Sequence, residues 1–204
     1  MRKKLCCVLM MTLLLTGCGR GGENKAEEMA LQARGEYLVM THCSGSAKIT
    51  ADYGQRVYRY ELEFTASGKE TVLTLTAPET VAGITARLSG KETLLEYDRA
   101  VLETGALDES GLTPVSAIPV ILTTIRDGYL DTCTLEQDGE EERLRLLIRD
   151  PEEEPGKGME TTLWFDAATR QLCRAEISRD GFCVIQCDFS SFTTENSVNS
   201  GELK

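Results

Sequence analysis

Eight cysteines and one histidine are the residues of this chain best suited to covalent or metal chemistry. Cys6 and Cys7 lie in an apolar run at the start, and Cys18 follows it closely. The remaining five, Cys43, Cys133, Cys173, Cys183 and Cys187, contain no Cys-x-x-Cys pair of the kind that binds zinc or cycles redox. Two readings stand for them: one or two bridges with a thiol left over, or, for Cys173, Cys183 and Cys187, small apolar residues on the inner face of a sheet. His42 alone cannot build a histidine metal cluster, and it reads as a helix C-terminal residue interacting with the dipole. There is no Gly-x-Ser-x-Gly elbow, no Ser-x-x-Lys and no glycine-rich phosphate loop. Glu152-Glu153-Glu154 lacks calcium-loop spacing and reads as a solvated charge run. The reading is therefore of a chain without enzyme chemistry, cofactor or metal.

The N-terminus carries a more specific chemistry. Arg2-Lys3-Lys4 is a basic tip, and Leu5 to Leu15 is an apolar segment of signal-peptide length. Leu15-Thr16-Gly17-Cys18 then resembles a bacterial lipobox, in which diacylglycerol joins the cysteine and the chain is cut just before it. Two acyl chains are what stable anchoring needs. The expected organisation is a leader over 1–17, a lipidated Cys18 with a flexible tether over 18–25, one domain over 26–193, and a polar tail over 194–204. The expected location is the outer face of the cytoplasmic membrane.

Composition bounds the partners. The chain has 204 residues, 22 basic and 33 acidic, for a charge of −11. Without Arg2, Lys3 and Lys4 it carries 19 basic residues against 33 acidic, a charge of −14. Such a surface disfavours nucleic acid. No later apolar run reaches the length of a membrane span.

The elements that would position a site alternate in two periods. A helix is predicted from Asn24 to about Thr41, with Met29, Ala33, Tyr37 and Met40 on one stripe. The period then becomes two. Tyr58, Tyr60, Leu62 and Phe64 form one apolar strand face; Leu73 with Leu75, and Ala82 to Leu88, repeat it. Leu102 to Thr113 reads as a loop. Pro114 and Pro119 each suit a first helical position, so a turn at 114–117 and a helix from 119 to about 127 are predicted. Ile118, Ile121, Leu122 and Ile125 make its apolar stripe. A second meander follows, with Leu144, Leu146 and Ile148 inward, Arg143, Arg145 and Arg149 outward, and Leu163 and Phe165 on the next strand. For the last hairpin, a three-residue Arg179-Asp180-Gly181 loop keeps apolar faces together, pairing Ile177 with Cys183 and Cys173 with Cys187. The fold class expected is mainly β with α+β character, about 10–11 antiparallel strands and helices on the concave face.

The order of segments resembles the LolA-like family of outer-membrane lipoprotein-sorting carriers. The residues that carry it are Thr74 to Glu79 with Val81 to Ile84, Leu112 to Pro119 leading into the helix, Leu163-Trp164-Phe165-Asp166 with Ala175 to Ile177, and Phe189 to Phe192. With the lipobox, it is also similar to the spore-germination lipoproteins of clostridia, which support a cell-wall amidase. The resemblance implies an incomplete antiparallel barrel, and in some members an acyl chain in its hollow. A soluble shuttle must cross the periplasm, which an anchored protein cannot do. The expected function is thus a non-catalytic envelope module holding a partner protein or an apolar ligand. An acyl-chain or lipoprotein carrier, and a germination accessory, are the alternatives. The pocket or core candidates are Tyr58, Tyr60, Leu62, Phe64, Leu144, Leu146, Leu163 and Phe165, with 118–125 as a lid.

Overall fold

The computed structural model describes residues 20–90, 92–104 and 110–196, with side chains from Asn24 onward. The expected leader, Cys18 and residues 197–204 lie outside the described residues.

Helix α1 (Arg20–Val39) is the first element of the described residues, reaching back into the stretch expected to be a tether. Ala26, Ala30, Ala33 and Tyr37 are its buried stripe, at the helical spacing of three to four. A first meander follows: β1 (Met40–Asp52), β2 (Val57–Ser67), β3 (Glu70–Ala77), β4 (Thr85–Ser89), β5 (Glu92–Tyr97) and β6 (Ala100–Glu103). His42 thus lies on β1, opposite Ser67, and not at a helix end. The strand expected from Ala82 begins only at Thr85, because residues 79–83 form a turn. Part of the expected loop from Leu102 belongs to β6.

Helix α2 (Pro114–Asp127) is one helix and runs through Pro119, against expectation. Thr113 caps it: its Oγ1 accepts from Ser116 N at 3.2 Å, and Ser116 Oγ accepts from Thr113 N at 3.2 Å. Pro114 fills the first turn, where its missing N–H costs nothing. Pro119 forfeits only the bond to the Val115 carbonyl, near the start, and the helix continues.

The second meander is β7 (Leu130–Asp138), β8 (Glu141–Arg149), β9 (Met159–Asp166), β10 (Leu172–Arg179) and β11 (Phe182–Asn196). β11 returns to pair with β1, giving one 11-stranded sheet in the order β6-β5-β4-β3-β2-β1-β11-β10-β9-β8-β7. Its last residues, including Thr194 and Asn196, pair with Cys43 and Met40, so the start of the expected tail is strand. β6 and β7 are edges that do not meet. This is the incomplete antiparallel barrel that the resemblance implied, with both helices on its concave side.

The β10–β11 hairpin corrects the predicted register. Asp180 and Gly181 both have positive φ (52° and 77°), and Arg179 pairs with Phe182 across a two-residue turn. A bulge between Ile177 and Ser178 then brings Ile177 opposite Ile185 and Ala175 opposite Cys187. The apolar faces meet, but the adjustment lies inside the strand and not in the turn. Cys187 and Cys43 are core residues, Cys173 and Cys183 are half-buried among polar groups of the outer face, and no disulfide joins the five.

Candidate functional site

Three cross-strand rows on the concave face of β2–β5 decide where space is left. At one end Leu62, Leu75 and Ile84 pack under Pro114 and Val115, leaving a void of only about 20 Å³. The next row is Phe64, Leu73, Ala86 and Leu95, each opposite the next. The last row is Ala66, Thr71, Leu88 and Thr93, again directly opposite one another. Three of these four are small, so the sheet cannot reach the helix there. The gap is a cleft of about 730 Å³, roofed by α2 through Ser116, Pro119, Val120, Leu122, Thr123 and Thr124. Gly68, Lys69, Gly90, Arg126 and Asp127 surround the same space.

The two faces of α2 have different work. Ile118, Ile121 and Ile125 are at most 2 % exposed and belong to the core. Leu122 is buried and also touches the cleft. Leu62, Phe64, Leu144, Leu146, Leu163 and Phe165 are likewise buried in the core. Tyr58 is exposed and Tyr60 half-buried; Tyr58 neighbours both Tyr60 and Tyr53, whose hydroxyl donates to Leu112 O at 2.9 Å. Apart from Tyr58 and Tyr60, the sequence-predicted residues therefore make a closed core, and the helix expected as a lid is packed into it. Arg149, expected in solvent, is largely covered and pairs with Asp131 at 2.7 Å.

The cleft mixes polar side chains with apolar ones, where the core is almost wholly apolar. Thr71, Thr93 and Ser116 are buried, and Thr123 and Thr124 add two hydroxyls from the helix. Arg126 is half-buried; its Nε donates to Tyr37 O at 3.1 Å. Among the described residues it makes no ion pair, and its Nη groups make no hydrogen bond. Lys69 makes no ion pair either. Burial pushes the Cys43 thiol, beside Ala66, up to about 11, with the Arg126 charge opposing that shift. The sequence held one signal for this site: period two puts Thr71 on the face of Leu73 and Leu75. The cross-strand alignment with Ala66 and Thr93 required the fold.

No protein-family model matches the chain, and no curated protein matches it. Solved structures similar to it include an uncharacterized conserved protein from Thermus thermophilus, 11% identical, covering 83% of this chain and 88% of that one, with TM-score 0.49. A LolA superfamily protein from Nitrosomonas europaea is 12% identical over 88% of this chain and 97% of that one, with TM-score 0.43. A chain in the complex of the CwlD amidase with the GerS lipoprotein from Clostridioides difficile is 15% identical over 83% and 95%, with TM-score 0.43.

Proposed function

We propose that this chain is a lipid-anchored, extracytoplasmic binding module, without catalytic chemistry of its own, that holds a ligand between α2 and the β2–β5 hairpins. The observation that carries the reading is the cleft of about 730 Å³ on a concave face that is otherwise filled. Its volume is in the range of small-molecule sites, roughly 300–1,000 Å³. The anchor rests on Leu15-Thr16-Gly17-Cys18. An acyl carrier would use this same cleft, since the larger apolar side chains are committed to the core.

Two measurements test it. A neutral solvatochromic dye should bind the full chain, and Thr71→Phe, which fills the cleft floor, should abolish binding in a folded protein. Cys18→Ser should leave the membrane fraction or accumulate as precursor. A Cys18→Ser chain of mature length that still sediments with membranes removes the anchor.

A second reading, a partner protein, is favoured by the free edge of the sheet. All four residues of β6 are exposed, and Tyr97, Val101 and Leu102 stand out from this end at more than half exposure. An accessory of a cell-wall amidase is the form of this reading that the sequence resemblance suggests.

A further inference from the structure

We propose that the cleft takes an anionic amphiphile, its charged head at Arg126 and Lys69 and its apolar body against Leu88, Val120 and Leu122. The inference rests on the cleft being a ligand site and adds the class of ligand.

The charge pattern is what points to it. In a chain of charge −11, carboxylates are abundant and half-buried arginines find them. Arg143 pairs with Asp166, Arg149 with Asp131, Arg170 with Glu36, and Arg174 with Glu176. Arg34 has no carboxylate but spends its guanidinium on Arg126 O and Gly128 O. Arg126 is the exception: it lines the cleft, its Nε holds Tyr37 O, and among the described residues its Nη groups make no hydrogen bond and no ion pair. A guanidinium so placed matches a carboxylate or a phosphate through parallel hydrogen bonds. Lys69, in the β2–β3 turn that left-handed Gly68 makes possible, reaches the same space as a second cation. Asp127 is the one carboxylate among the lining residues, so two cations face one anion.

The remaining chemistry favours an occupant with a polar head over a purely hydrocarbon one. Hydroxyls of Thr71, Thr93, Thr123 and Thr124 surround the cleft. Covering hydroxyls without returning a hydrogen bond is unfavourable. A ligand with a polar head avoids that loss, while its body covers Leu88, Val120 and Leu122.

The test compares two probes of one shape on the full chain: cis-parinaric acid and its methyl ester, read by fluorescence. The acid should bind roughly tenfold tighter, with a preference that shrinks as salt is added. Arg126→Gln and Lys69→Gln should each weaken the acid and spare the ester. Lys69→Gln is the cleaner variant, because Arg126 also holds Tyr37 O. Competition separates the sources: displacement by oleate indicates a fatty-acid carboxylate, and displacement by oleoyl lysophosphatidate a lipid phosphate. Equal affinity for acid and ester, or displacement by neither anion, overturns the proposal and leaves the cleft reading intact. Failure of both probes to bind removes the cleft reading as well.

Discussion

Arg34 and Arg126 hold each other's helices by their C-terminal carbonyls. Arg34, on α1, donates from Nε and Nη2 to Arg126 O at 3.0 and 2.7 Å, and from Nη2 to Gly128 O at 2.5 Å. Arg126, on α2, donates back to Tyr37 O at 3.1 Å. The last carbonyls of a helix lack intrahelical partners and carry the negative end of its dipole, so a guanidinium serves both needs. The pair fixes α2 over the sheet and, with it, the height of the cleft roof.

Arg34→Met should therefore lower stability by roughly 2–3 kcal/mol, the range for hydrogen bonds to a charged donor plus stranded acceptors. The expected signature in urea is a lower midpoint with an unchanged slope. Arg34→Lys should recover only part of it, because an ammonium cannot span two carbonyls as a planar fork does. Full recovery by Lys would mean that charge, and not the fork, is what holds the helices.

Cys43 gives the domain an alkaline limit. Burial raises its thiol from the ordinary 9.0 to about 11. Below pH 9 the thiol is neutral in both states and nothing is lost. Above it the unfolded chain ionises first, so stability falls as pH rises from about 9 to about 11. Cys187, pushed up further by burial and by Asp188, adds to the same trend. Urea midpoints measured across that range should decline, and Cys43→Ala should flatten the decline. In native protein Cys173 and Cys183 should alkylate first, with Cys43 and Cys187 reacting only through unfolding. Rapid native modification of Cys43 would contradict its burial.

The turn at Asp180-Gly181 offers a local test of register. Gly181 has φ +77°, which an L side chain adopts only with strain. Gly181→Ala should cost about 1 kcal/mol, read as a lower thermal midpoint. If the loop were the three-residue form, Asp180 would not need a positive φ, and Asp180→Gly would bring no gain. With the observed φ of 52°, Asp180→Gly should be slightly stabilising.

How much of this was legible depends on the range of the physics involved. Strand faces follow from local alternation, so the inward set Leu144, Leu146 and Ile148 was readable from residues 143–149 alone. Helix α2 was readable as a stripe, but its true start needed Thr113 and Ser116 to form a capping box strong enough to carry Pro119 inside. Tyr58 and Tyr60 share the parity of Leu62, yet parity does not say where the helices stop covering the sheet. The bulge opposite Ile177 and Ser178 is a single extra residue, Val184 on β11, that no propensity marks. The cleft is least legible, because it is the coincidence of Ala66, Thr71 and Thr93 on three different strands.

Two substitutions on α2 separate a fixed roof from a moving lid. Ile121 is 1 % exposed and faces the core, whereas Thr123, two residues on, is exposed and lines the cleft. Ile121→Glu would bury a carboxylate with no partner, a cost of several kcal/mol and a large share of the stability of a domain this size. It should abolish the cooperative unfolding transition. Thr123→Glu adds the same charge to a wet surface and should shift stability by about 0.5 kcal/mol or less. It should also weaken an anionic probe by adding a second carboxylate to the cleft lining, while a neutral probe is spared. A mobile lid would turn the carboxylate of Ile121→Glu to water, and the variant would unfold cooperatively near the wild-type midpoint. That result would show that α2 leaves the sheet, and that the cleft is one state of a larger opening.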